Sequence, residues 1–228
     1  MGIELGFSDV ESVLVHLNRV ADGKRVAFRA RLKHFQRLGF PEGVNTGTGR
    51  RATYGVRHLF QLVIAMEFTQ SGMSPQRVVK TINGNWSHIE TQILAALSTP
   101  EMYELFIPPL TSGERVLIVS PEALKDLTEE GDGEWDYHDS VDSTDIEDLA
   151  QRLKSDEVVI TVGEFYRHVI IQLRPLAMLT VSCLMHIQPN LTWKAIYTEV
   201  FELVMDRIQR LHDAIASIDL KIPNVKDT

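Results

Sequence analysis

Phe28, Leu32 and Phe35 recur at i, i+4 and i+7 in a segment whose other positions are mostly basic. That spacing stacks three apolar side chains on one face of an α-helix. Arg25, Arg29, Arg31, Lys33, His34 and Arg37 are left to cover much of the remaining surface, so the apolar face must find a core while the basic face meets solvent or a partner. Gly39 is placed to end this helix and Pro41 prevents its continuation. An earlier helix is predicted from Ser8, which can cap it, with Val10, Val13, Leu14 and Leu17 on one side. Asp9 and Glu11 suit its positive N-terminal dipole, and it should end near Asp22-Gly23. The second helix is then predicted to begin at Lys24, across a glycine-containing turn.

The overall formal charge of −8 conceals a division. Residues 1–80 hold 12 Lys+Arg against 6 Asp+Glu, whereas the remainder holds 11 against 25. Within residues 23–57 nine basic side chains (Lys24, Arg25, Arg29, Arg31, Lys33, Arg37, Arg50, Arg51 and Arg57) face one acid, Glu42. Such a block is what a polyanion-binding module carries, because each cation at a phosphate displaces condensed counterions. The plainer alternative is a solvated basic face.

Residues 42–54 are rich in Gly, Asn and Thr and end in strand-compatible residues, which predicts a β-hairpin or wing with Arg50 and Arg51 near its tip. A helix follows over residues 56–70, with Leu59, Leu62, Val63, Met66 and Phe68 as its apolar contacts, and Gly72 stops it. Ser74 and Pro75 are a cap and first-position proline for a short helix through Ile82.

The run Arg31-Leu32-Lys33-His34-Phe35-Gln36-Arg37-Leu38-Gly39-Phe40-Pro41 resembles the recognition-helix ending of MerR-type transcriptional regulators. Gly49-Arg50-Arg51-Ala52-Thr53-Tyr54 is similar to that family's wing, and the stretch from Leu59 to Gly72-Met73-Ser74-Pro75 is similar to the helices that close its DNA-binding domain. Departures are His34-Phe35 in place of a tyrosine pair, a wing one residue longer, and His58 where an acid is usual. The resemblance covers roughly the first 82 residues and implies a winged helix-turn-helix bound to double-stranded DNA. Arg25, Arg29, Arg31 and His34 would reach bases or flanking phosphates in a major groove, and Arg50 and Arg51 an adjacent backbone or minor groove. Lys33, Arg37, Arg57 and His58 are lesser candidates. If the resemblance extends to mechanism, RNA polymerase is a further partner.

Beyond residue 82 the chain departs from a simple family member. Asn83-Gly84-Asn85 should break the helix, with a short helix over 86–97 and a proline-containing connector over 98–109. Arg115 begins a strand-like run that passes into a helix near Pro121. Residues 128–148 read as an acidic loop, and a second β-like run over 157–164 echoes the first as a weak repeat. A helix near Glu164 should be interrupted around Arg174-Pro175. Residues 192–218 form a long amphipathic helix suited to packing on the domain or pairing subunits.

Other motifs carry less. Gly47-Thr48-Gly49-Arg50-Arg51-Ala52 satisfies a dinucleotide-binding pattern formally, but no apolar strand precedes it. Asp132, Glu134 and Asp136 alternate like calcium ligands, yet Tyr137 occupies the glycine position and Ser143 the bidentate one. Cys183 and His186 are spaced i, i+3 on an apolar stretch, and a lone cysteine forms no internal disulfide. No catalytic constellation, metal site or cofactor is expected, and no secretory signal is visible at the N-terminus.

The expectation is therefore a mainly α protein with minor β. It has a winged helix-turn-helix over 1–82, a helical connector over 83–114 and a C-terminal α/β or helical regulatory and dimerisation domain over 115–228. Its expected function is that of a cytoplasmic, nucleoid-associated, homodimeric transcriptional regulator that is not an enzyme. The alternative is an architectural or plasmid-maintenance DNA binder without effector control.

Overall fold

The structure, a computed structural model, describes residues 2–44, 51–98, 114–120, 141–154 and 168–219. It is mainly helical with a small antiparallel sheet, in agreement with the expected class. The chain runs β1 (Leu5–Gly6), α1 (Phe7–Leu17), a 3-10 turn (Asp22–Lys24), α2 (Arg25–Arg37), β2 (Thr53–Tyr54), α3 (Val56–Gln70) and α4 (Pro75–Leu97). It continues through β3 (Arg115–Val119), β4 (Val141–Asp145), α5 (Ile146–Lys154), β5 (Val169–Gln172), α6 (Leu173–Ile187) and α7 (Trp193–Asp219).

The first helix is capped two residues earlier than Ser8 predicts. Gly6 is its cap residue, and the Gly6 N–H donates to the Asp9 carboxylate at 2.8 Å, so the acid three residues in satisfies the N–H of the cap residue. Helix α2 buries Phe28, Leu32 and Phe35 as predicted. Its end is a Schellman turn: Gly39 has φ +74°, its N–H donates to the Gln36 carbonyl, and the Phe40 N–H donates to the Phe35 carbonyl at 3.0 Å. Phe40 then packs on Phe35 with ring centroids 5.8 Å apart. Gly72, at φ +96°, ends α3 in the same way, with Met73 folding back toward Phe68. Arg19 fills the equivalent position after α1 with φ +49°, which an L side chain adopts at a cost.

Strand β2 pairs antiparallel with β1, Leu5 opposite Tyr54 and Gly6 opposite Thr53. Residues 45–50, the predicted wing tip, lie outside the described residues. Helix α3 is apolar nearly all round and buried through Phe60, Val63, Ile64 and Ala65, as a helix enclosed by others must be.

Several expectations change beyond residue 82. Asn83-Gly84-Asn85 does not break the chain; α4 runs through it for 23 residues. Asn83 and Gly84 are exposed, Asn85 turns its amide onto the Thr81 carbonyl four residues back, and Ile82, Trp86, Ile89 and Ile93 bury one continuous face. Tertiary burial overrides the weak helix propensity of the triplet. The end of the predicted acidic loop is also ordered differently: residues 141–145 form β4 and residues 146–154 form α5. Val141 and Thr144 are buried opposite Val119 and Val116, and the Asp145 carboxylate accepts the Glu147 N–H to start α5. The helix predicted near Glu164 is replaced over 169–172 by a strand, because Val169, Ile170 and Ile171 pair with β3. Pro175 sits in the first turn of α6, where its missing N–H costs nothing. The predicted helix after Pro121 and the whole of the second β-like run, 157–164, lie outside the described residues.

The larger sheet is antiparallel, ordered β4-β3-β5. Helix α4 packs against α3, α6, α7 and this sheet, and α1 packs against α6. Residues from both sides of the boundary expected at 82/83 therefore line one apolar cluster, from Leu5 to Val204.

Gly39→Ala should lower stability by about 1 kcal/mol, the cost of left-handed backbone for an L residue. An added Cβ would meet nothing within 4 Å, so the loss is conformational alone. Arg19→Gly should act in the opposite direction, and chemical denaturation of both variants reads the two signs.

Candidate nucleic-acid interface

The buried side of α2 fixes what its other side presents. Opposite Phe28, Leu32 and Phe35, the helix aligns Val26, Ala30, Lys33 and Arg37 at i, i+4, i+7 and i+11, all four exposed. The strip is about 16 Å long at 1.5 Å per residue. Arg29 and His34 flank it, and Arg25 and Arg31 lie further round.

The predicted cations fall into two sets. Arg29 donates from Nε and Nη2 to both carboxylate oxygens of Glu11 at 2.7 Å, a bidentate clamp between α1 and α2. This contact keeps its guanidinium above its already high pKa. Arg25 stands 3.1 Å from Asp22 in an exposed pair. Arg57 is turned inward: its Nε lies 3.8 Å from the Glu90 carboxylate and its guanidinium 5.9 Å from the centre of the Trp86 ring. By contrast Arg31, Lys33, Arg37 and Arg51 are exposed and form no ion pair among the described residues. His34 is half-buried, and Arg50 lies outside the described residues.

Arg51 is tied to α2 through the strand it precedes. Gln36 donates from Nε2 to the Tyr54 hydroxyl at 2.5 Å, and the Tyr54 ring is buried. The turn into α3 is held from two sides. His58 Nδ1 accepts the Gly55 N–H at 3.0 Å, so this imidazole serves as the acceptor at the position where the family resemblance expects an acid. Burial foremost, and then the neighbouring Arg57 charge, lower the His58 pKa from its ordinary 6.5. A hydrogen bond with the Glu42 backbone opposes that shift.

Glu199, on α7, closes the arrangement from the far end of the chain. Its carboxylate accepts the Ile3 N–H at 2.6 Å and the Val56 N–H at 3.3 Å, capping α3 and holding the strand β1 at once. A second link from α7 is Arg207, which pairs with the buried Glu90 and also reaches the Ser87 carbonyl. Sequence reasoning missed both acids. Glu90 carried a usable signal, since Trp86, Ile93 and Leu94 surround it at helical spacing; Glu199 carried none.

Among the described residues no group of three His, Cys, Asp or Glu side chains could hold a metal ion, and no helix is long and apolar enough to cross a membrane. Cys183 is buried, which pushes its thiol pKa up, while His186, three residues on, is exposed. No family model, curated protein or solved structure matches this chain.

Two outcomes follow from these contacts. Because the fold depresses the His58 pKa, the folded chain binds fewer protons there than the unfolded chain, and stability falls as pH drops below about 6.5. His88, depressed mainly by burial, adds to that trend. Thermal melts between pH 7.5 and 5 should show the decline, and His58→Gln should make it shallower. Glu90→Ala should cost about 2–3 kcal/mol in urea denaturation, because it leaves Arg57 and Arg207 without their shared acid. The value sits at or below the range for fully buried pairs, since the Arg57 side chain is 41% exposed.

Proposed function

We propose that this chain is a sequence-specific double-stranded DNA-binding transcriptional regulator, whose N-terminal part works as a MerR-type winged helix-turn-helix. The observation that carries the reading is the outward side of α2. Lys33 and Arg37 stand in line there, with Arg31 further round the helix and Arg51 just before β2, and no acid among the described residues neutralises them. The strand β2 that follows Arg51 is bonded to α2 through Gln36 and Tyr54, which supports a wing and helix acting as one surface. Arg29 and Arg57, by contrast, serve this reading as braces of the surface more than as its contacts.

Phosphate contacts from Lys33, Arg37 and Arg51 supply affinity and register, and the N-terminal turns of α2 enter a major groove. A reading surface this short gains specificity from a second copy related by symmetry. Met205, Ile208 and Leu211 on α7 are exposed large apolar side chains, and they favour pairing of two copies through that helix.

Selection from random-sequence duplex should enrich an inverted repeat, its half-sites about 34–36 Å apart or a multiple of that spacing. Affinity should fall steeply with salt, and Lys33→Ala/Arg37→Ala should reduce the log–log slope by about two. Enrichment of no sequence would favour an architectural binder, and no duplex binding at low salt would overturn the proposal. Sedimentation should show a dimer that Leu211→Glu shifts toward monomer.

A further inference from the structure

Val26 is 84% exposed, more than any other large apolar side chain among the described residues. An isolated exposed valine needs no explanation by itself. This one sits in the first turn of α2, in line with Ala30, Lys33 and Arg37 and diametrically opposite Phe35. Of the two arginines that share its end of the helix, Arg29 is clamped by Glu11, while Arg25 lies further round in an exposed pair with Asp22. The bidentate fork that would read a guanine edge is thus turned toward α1. What the N-terminal half of the outward strip offers is the Val26 isopropyl group and the Ala30 methyl group, followed by Lys33 and Arg37, which form no ion pair among the described residues.

That arrangement matches one feature of duplex DNA. In the major groove thymine alone of the four bases carries a methyl group, while phosphates line both edges of a groove about 12 Å wide. Cations at the C-terminal end of the strip suit the phosphates, and an apolar pair at the N-terminal end suits the methyl. A valine set against the donors and acceptors of guanine, cytosine or adenine would leave those groups unpaired.

The geometry points to Val26, supported by Ala30, as a specificity-determining contact that reads thymine 5-methyl groups in the major groove. The inference rests on the DNA-binding reading above and names the base chemistry which that reading leaves open. It also assigns Arg29 a positioning role: the Glu11 clamp holds the first turns of α2 so that valine, not guanidinium, leads into the groove.

The test uses the full chain and the duplex enriched from random sequence. Deoxyuridine replaces thymine one position at a time, which removes only the methyl group. In each half-site one or two positions should then bind about fourfold more weakly, the worth of one buried carbon. Val26→Ser, at a site too exposed to affect folding, should bind thymine and deoxyuridine duplexes equally at those positions. Equal binding of every substituted duplex by the unaltered chain would overturn the inference, while continued sensitivity to Lys33→Ala/Arg37→Ala would keep the DNA-binding reading intact. Methyl discrimination that survives Val26→Ser would also overturn it, by moving the contact to another residue. Binding to no duplex at all would remove both.

Discussion

Burial of one face of α4 is the constraint on which the other elements depend. Ile82, Trp86, Ile89 and Ile93 are each less than 5% exposed, and the elements that cover them come from both halves of the chain. Burying each such side chain contributes roughly 1.5–3 kcal/mol. Gly84 inside the helix costs about 1 kcal/mol against alanine, and the two asparagines less. The comparison decides the local structure: the helix continues because stopping would strand its apolar face. With α4 intact, α3 and α7 lie beside it, and the sheet β4-β3-β5 has a surface to close against.

The same helix sets where charge goes. Glu90 enters the interior on α4 and draws Arg207 from α7 and Arg57 from α3 toward it. Glu11 does the same for Arg29 from a buried position on α1. Two of the nine cations in the basic block are therefore cross-braces between helices. Net charge along a sequence counts both kinds equally, although a cation with an internal acid has less to offer a polyanion than one without.

That distinction marks how far the sequence could be read. Period-3.6 patterns located α2, α3 and α7 because each repeats apolar residues over several turns. The run Val116-Leu117-Ile118-Val119 located β3 because four apolar residues in succession suit a strand covered on both faces. Strand β4, Val141-Asp142-Ser143-Thr144-Asp145, has no alternation to find; its buried residues are the first, fourth and fifth. Strand β5 is four residues long and runs directly into α6, so its β-branched residues merged with a helical pattern. Candidate contact residues on α2 were legible from the three buried positions that orient the helix. Their internal pairing was not, because Glu11, Glu90 and Glu199 act across separations that no local pattern records.

The clasp made by Glu199 has a consequence for synthesis. Its two hydrogen bonds span 196 and 143 residues, joining α7 to the start of β1 and the start of α3. A ribosome adding roughly 5–20 residues per second needs about 7–30 s to pass from Val56 to Glu199. Throughout that interval the Ile3 and Val56 amides lack the acceptor they have in the folded chain. The starts of β1 and α3 therefore gain their shared acceptor no earlier than 143 residues after Val56 has been added.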